Sequence, residues 1–225
     1  MCTSLVNMPG MPREAIATPE RILDAAFARF SRYGYRRTSM EDIATEAGVS
    51  RAALYLQFRN KEEIFRRLAQ QMQDDALSRA AAALAQDGPL GERVTAAILA
   101  KGLRFIEITL ASPHASELLD ETNRLCGDLV GDTERRFLDQ LTRVLRRAAQ
   151  AGEIDLGEPG LAAGETAQLL LRAVKGLKGP GVTVDEYRKG VDALVRVFVA
   201  GLRPRAAGRS TARAARQRPR AASRA

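Results

Sequence analysis

Residues 38–62 read TSMEDIATEAGVSRAALYLQFRNKE, and this stretch decides the fold. Ser39 is placed as an N-cap, with Asp42 three residues on to return the hydrogen bond, and Ile43, Ala44 and Ala47 form one apolar face. Gly48 ends that helix, because a left-handed residue costs glycine no steric penalty. After the turn Gly48-Val49-Ser50, Ser50 caps a short helix through Phe58, and Asn60 caps another. Small side chains at Ala44, Ala47 and Gly48 let the first two helices cross closely, while Val49, Leu54 and Phe58 lock the second from its inner side. At about 100° per residue, the face opposite Leu54 is Ala52 and Leu56, flanked by Ala53 and Tyr55, with Arg51 reaching out of the first turn. Two helices joined in this way suit DNA, since the major groove admits one helix and a second must hold it rigidly.

Outward from this motif the pattern stays helical. Thr18 caps a helix over 19–33 whose face is Ile22, Leu23, Ala26, Phe27 and Phe30, and Gly34 stops it. Apolar spacing and breakers predict further helices over 61–86, 90–111, 114–126, 132–151, 161–177 and 184–202, nine in all, with no strand-like alternation. The fold class is all-α. The organisation predicted is an arm over 1–17, a helix-turn-helix domain over 18–65, a larger helical domain over 66–202, and a low-complexity tail over 203–225.

Composition narrows the function. Of 225 residues, 45% are hydrophobic and 28% charged, ordinary values for a globular protein, and no apolar run is long enough for a membrane span. The N-terminus lacks the basic-then-apolar pattern of a signal peptide, so a cytoplasmic protein is expected. Two cysteines, Cys2 and Cys126, make no disulfide framework and read as reduced, incidental thiols. With one histidine, no metal-spaced His/Cys cluster, no glycine-rich phosphate loop and no Ser/His/Asp arrangement, an enzyme is disfavoured, and no metal or cofactor is expected. The net charge of +8 lies entirely in the eight arginines of 203–225, because 1–202 balances at 27 basic and 27 acidic residues. Such a tail is expected either to exchange counterions for phosphates without reading bases, or to be a solvated extension.

The capped pair Thr38-Ser39-Met40-Glu41-Asp42-Ile43-Ala44, the turn Ala47-Gly48-Val49-Ser50, then Leu54-Tyr55, Phe58 and Lys61-Glu62, resemble the tetracycline-repressor (TetR/AcrR) family of bacterial regulators over about residues 19–65. The resemblance implies that Arg51, Ala52, Ala53 and Leu56 face base edges. It implies that Tyr55 and Lys61 hold phosphates, that Thr38, Ser39 and Gln57 lie near the DNA backbone, and that Ser50 is also a DNA-binding residue. Two positions depart from the family: Ala52 stands where glycine is frequent, and Gln57 where tyrosine or histidine is. Spacing alone leaves alternatives open. Tyr55 could cover Phe58, Arg51 could be a solvated charge, and Lys61 could pair with Glu62 or Glu63.

The resemblance further implies a homodimer on a palindromic operator, joined by the last two helices as a four-helix bundle. Leu170, Val174, Leu177, Tyr187, Val191, Leu194, Val195 and Phe198 are the candidate interface, unless they fill the monomer's own core. A small-molecule effector of unassigned identity and pocket is expected to release the operator, repression being the family's majority behaviour. His114, Arg104, Glu107, Thr109 and Cys126 are polar or ionisable residues near apolar helices, read as surface or satisfied core residues. The alternative function is a helical adaptor that keeps the motif without binding DNA.

Overall fold

The computed structural model describes residues 18–157, 159–179 and 181–204; the predicted arm, Cys2 and nearly all of the arginine tail lie outside them. Within the described residues the chain is all-helical, with eight helices: α1 (Pro19–Tyr33), α2 (Met40–Ala47), α3 (Arg51–Gln57), α4 (Lys61–Leu84), α5 (Leu90–Ala111), α6 (Ala115–Gln150), α7 (Ala163–Gly176) and α8 (Val184–Gly201).

Eight helices replace the expected nine because 114–126 and 132–151 are one. Gly127 and Gly131 lie inside α6 rather than breaking it. Each glycine costs a helix roughly 1 kcal/mol relative to alanine, and packing on either side offsets this. Cys126 and Thr133 are buried, and Asp128 is held by Arg66 through two hydrogen bonds of 3.0 and 2.8 Å. At the usual rise per residue, α6 is about 54 Å long.

The buried residues form two clusters. One gathers Ile22, Ala26 and Phe30 of α1, Ile43 and Ala47 of α2, Leu54 of α3, Ile64 and Phe65 of α4, and Cys126 of α6. Phe30, Tyr35 and Phe65 stack within it, with ring centroids 5.1–5.6 Å apart. The other joins Leu77 and Ala80 of α4 to Val94 and Ile98 of α5, Phe137, Leu141 and Leu145 of α6, Leu170 of α7 and Val191 of α8. Each fully buried Leu or Ile side chain is worth about 1.5–3 kcal/mol. Helices α4 and α6 contribute to both clusters, so they tie the two regions together.

The expected dimer face needs correction. Leu170, Val174, Tyr187, Val191 and Val195 are 0–6% exposed within their own chain, because α7 lies against α6 and α8 against α5. They have almost no surface left to give a second copy. Leu177, Leu194 and Phe198 are half-buried against the same core. The large apolar side chains that stay exposed on these two helices are Leu169 and Val197, at 51% and 72%.

Candidate nucleic-acid interface

The reading unit is built from α1, α2, α3 and the first turns of α4, with the helix-turn-helix itself formed by α2, its turn and α3. Ser39 Oγ accepts from the Asp42 amide at 3.1 Å, and Asp42 accepts from the Ser39 amide at 2.8 Å, closing the expected reciprocal cap. Asp42 is also paired with Arg29 of α1 at 3.1 Å. Its carboxyl is held below the usual carboxylate range, first by the Ser39 hydroxyl, then by the Ser39 amide and Arg29. Gly48 has φ 61 and ψ 38, the left-handed conformation, and a side chain there would meet the Arg21 guanidinium at 2.9 Å. Val49 then donates its amide to Ala44 at 3.0 Å, which turns the chain into α3, and Ser50 Oγ caps the Ala53 amide at 3.1 Å.

Leu54 is fully buried and anchors α3, so its opposite face is outside. Arg51, Ala52, Tyr55, Leu56 and Gln57 are exposed and Ala53 is half-buried. Leu56 stands out at 84% exposure, the most exposed large apolar side chain among the described residues. Arg51 sits 3.2 Å from Glu41 and over the Tyr55 ring at 5.6 Å. An ion pair this exposed is worth at most about 1 kcal/mol, so the guanidinium is readily exchanged to another acceptor. Ser39 and Ser50 are exposed at the two helix starts.

Two expected backbone contacts turn inward instead. Thr38 is 1% exposed and its hydroxyl donates to the Gly34 carbonyl at 2.7 Å, so it braces the α1–α2 link. Lys61 donates to the carbonyls of Tyr35 and Thr38, each at 2.8 Å, with Arg36 O at 3.5 Å and the Tyr35 ring below its ammonium at 4.3 Å. Its three N–H donors are thus directed at main-chain carbonyls, and it pairs with neither Glu62 nor Glu63. Glu62 meets Arg124 at 3.2 Å, and Glu63 accepts from the Arg59 amide at 2.8 Å. Burial lowers the Lys61 ammonium from its ordinary pKa and raises the Tyr35 phenol to about 12.

Sequence reasoning did not find the connection between this unit and α6. Glu117 accepts from the Arg36 amide at 2.6 Å, and Glu121, only 4% exposed, takes Arg36 at 3.3 Å and Arg124 at 2.7 Å. The Arg124 hydrogen bond, then that of Arg36, holds the Glu121 carboxyl below its usual range. Arg66 of α4 adds Asp128 and the Leu125 carbonyl. Ser112 Oγ, just before α6, donates to the Ser31 carbonyl of α1 at 2.8 Å. The only signal in the chain was i, i+3 acid–base spacing along 117–124, which any exposed helix shows. Of the other polar residues noted, Cys126 is buried, Arg104 lies 3.9 Å from Glu107, and His114 lies 4.0 Å from Glu117. The Thr109 side chain is outside the description.

Residues 22–68 match the family model for bacterial regulatory proteins of the tetR family. The HTH-type transcriptional regulator YfiR of Bacillus subtilis (strain 168) is 28% identical over 77% of this chain and 84% of its own. TtgR, an HTH-type transcriptional regulator of Pseudomonas putida, is 28% identical over 63% of this chain and 72% of its own. The fold is shared with SmeT, the repressor of the Stenotrophomonas maltophilia multidrug efflux pump SmeDEF. That structure has a TM-score of 0.60 and 23% identity over 83% of this chain and 90% of its own, and SmeT is also known as a triclosan complex. The helix-turn-helix at the head of this chain thus matches the tetR family model, and the relatives that run through both regions are HTH-type transcriptional regulators.

Proposed function

We propose that this regulator binds a palindromic operator as a homodimer and represses transcription until a small molecule in its larger helical region releases it. The observation that carries the reading is the α3 surface. A short helix, capped at Ser50 and pinned by the buried Leu54, presents one cation and a row of small or apolar side chains to solvent. Exposed on a folded surface, Leu56 has no packing role, and against DNA it can cover a thymine methyl. Ala52 and Ala53 suit the same contact, and Arg51 suits guanine. In this reading Tyr55, Gln57, Ser39 and Ser50, all exposed, meet the flanking backbone.

The coupling reading rests on α6. Its N-terminal half is bound to the reading unit through Glu117, Glu121, Arg124 and Asp128, and its middle lies in the second core through Phe137 and Leu141. A helix displaced at one end carries the other end with it, and two-state shifts of packed helices are a common switching device. SmeT supports the direction of control, being a repressor that has also been solved with triclosan. For assembly, Leu169 of α7 and Val197 of α8 take the place of the five residues buried in the core. A two-fold dimer doubles the bases read, and no helix among the described residues is long and apolar enough to cross a membrane. The reading is for action in the cytoplasm, where the DNA is.

Selection of bound sequences from a random DNA pool tests this. A palindromic consensus with thymines in the half-site is the expected result. A non-palindromic consensus, or none, overturns it. Sedimentation of Val197→Asp alongside the parent protein tests the assembly, with a shift to monomer expected.

A further inference from the structure

The reading of α5–α8 as the effector region leaves open what kind of molecule it takes, and the charges there bear on that. A pocket of about 340 Å³ opens between these four helices. This is within the usual range for small-molecule sites, about 300–1,000 Å³. Its walls are apolar and aromatic, chiefly Ile98, Phe137, Leu138, Leu171, Val174 and Tyr187. Its polar lining is heavily basic: Lys101 from α5, Arg135 from α6, Arg172 and Lys175 from α7, and Lys178 just beyond α7. The one acid among the lining residues, Glu134, is already engaged by Lys175 at 2.8 Å.

Four of these cations, Arg135, Arg172, Lys175 and Lys178, are exposed at the rim, and Lys101 is drawn further in. Lys101 is half-buried on a helix whose neighbouring residues, Ile98, Leu99 and Gly102, belong to the interior, and its ammonium lies 5.6 Å from the Phe137 ring centre. The Lys178 ammonium lies 5.9 Å from the centre of Tyr187. Loss of water, and then the charge of Lys178, disfavour the protonated form of Lys101; loss of water also lowers Lys178, with Glu134 opposing and Lys175 adding to the effect. Like charges converging beside an apolar hollow cost free energy that an entering anion recovers. Gly102 helps to shape the site, since a side chain there would meet the Tyr187 hydroxyl at 2.7 Å and displace it.

We propose that the pocket between α5, α6, α7 and α8 binds an organic anion with an apolar body, the body lying against Phe137, Leu171 and Tyr187 and the acid group against Lys101 and Lys178. A neutral or cationic molecule of the same shape gains the apolar contact but does not relieve the crowding of like charges. Lys101 was discernible in the sequence as a cation in the run Ala97-Ile98-Leu99-Ala100-Lys101-Gly102-Leu103, but its neighbours in space come from three other helices.

The test uses the full chain and the fluorescent apolar sulfonate 1-anilinonaphthalene-8-sulfonate, competed with 2-naphthoate, dodecanoate, 2-naphthalenemethanol and dodecyltrimethylammonium. The two carboxylates separate an aromatic from a fatty body. We expect at least one carboxylate to displace the probe at concentrations tenfold or more below the alcohol and the cation. Lys101→Met should weaken that carboxylate at least tenfold and leave the alcohol unchanged, while Arg146→Met, an exposed change outside the pocket lining, should alter neither. If Lys101→Met does not fold, Lys178→Gln is read in the same way. Equal displacement by the alcohol, preference for the cation, or unchanged carboxylate affinity in the lysine variants overturns the proposal. Operator affinity, measured in parallel, separates the two ideas. A carboxylate bound through Lys101 with no effect on operator affinity supports the pocket and defeats the effector reading. Operator release by a neutral or cationic compound, with no carboxylate bound, does the reverse.

Discussion

The reading unit and the α5–α8 cage are built by opposite uses of polarity. In the reading unit the exception to ordinary partitioning is apolar and outside, with Leu56 exposed at 84% on α3. In the cage the exception is charged, with Lys101 half-buried beside the Phe137 ring and Lys178 at the rim beside Tyr187. Each departs from what folding alone favours, and each faces the partner proposed for it, thymine methyls for one and an organic anion for the other. The two regions also differ in how they are held. A left-handed glycine sets the turn between α2 and α3, whereas a larger set of interleaved apolar side chains holds the cage. Helix α6 runs through both and α4 joins their cores, so the contrast is one of surface and not of separable parts.

The largest expected effect tests that last statement. Leu54→Ala in α3 and Leu141→Ala in α6 each remove a side chain that is 0% exposed, and each should cost about 2–5 kcal/mol. Because α4 and α6 share both cores, far-ultraviolet circular dichroism and tyrosine fluorescence should report one coincident transition in either variant. Two transitions would mean that the regions unfold independently.

Next in size are two cations of the reading unit. Arg51→Ala should lower operator affinity by about 1–3 kcal/mol and relax preference at one symmetric base pair. Lys61→Met should act differently, because its ammonium bridges the Tyr35 and Thr38 carbonyls. A loss of thermal stability is expected with the salt dependence of DNA binding unchanged. A slope shallower by about one unit per subunit, with stability intact, would restore Lys61 to the phosphate backbone.

A smaller effect of opposite sign sharpens the account of α6. Nothing lies within 4 Å of where a side chain would begin at Gly127 or Gly131, so alanine meets no obstacle at either. In a continuous helix each change should raise stability by about 0.5–1 kcal/mol in chemical denaturation. A loss would indicate a break at 127–131.

The smallest effect is an acid one. Hydrogen bonding by Arg66 lowers the Asp128 carboxyl to about 2. A carboxylate depressed in the folded state contributes above its ordinary pKa, near 3.9, and the contribution fades as pH falls from there through about 2. Asp128→Asn should therefore narrow the gap to the parent in that window and leave it constant at neutral pH. A gap that does not depend on pH would remove this pair from the link between α4 and α6.

How legible each feature was depended on the range of the interactions behind it. Ser39 with Asp42, Gly48, Ser50 and Asn60 each act over at most four residues, so the motif could be read and placed from order alone. The break expected between 126 and 132 fails for the same reason: Gly127 and Gly131 weaken a helix locally, but Arg66, far away in the chain, and two cores hold it together. The candidate dimer face shows the same limit, because helical spacing shows that Leu170, Val191 and Val195 share a buried side but not whether their own chain or a second copy buries it; here their own chain does.

What the sequence determined by itself was therefore the all-helical class, the helix-turn-helix with its caps and exposed face, and the confinement of excess charge to the last 23 residues. Those depend on backbone propensity, capping and counting, which need no knowledge of distant neighbours. The tertiary structure alone decided that Thr38 and Lys61 turn inward, that α6 is a single helix joining the reading unit to the second core, and that five cations and one acid surround an apolar pocket. Each of those depends on which residues meet across the fold, and side-chain charge and hydrogen bonding act through space at a few ångströms whatever the separation along the chain.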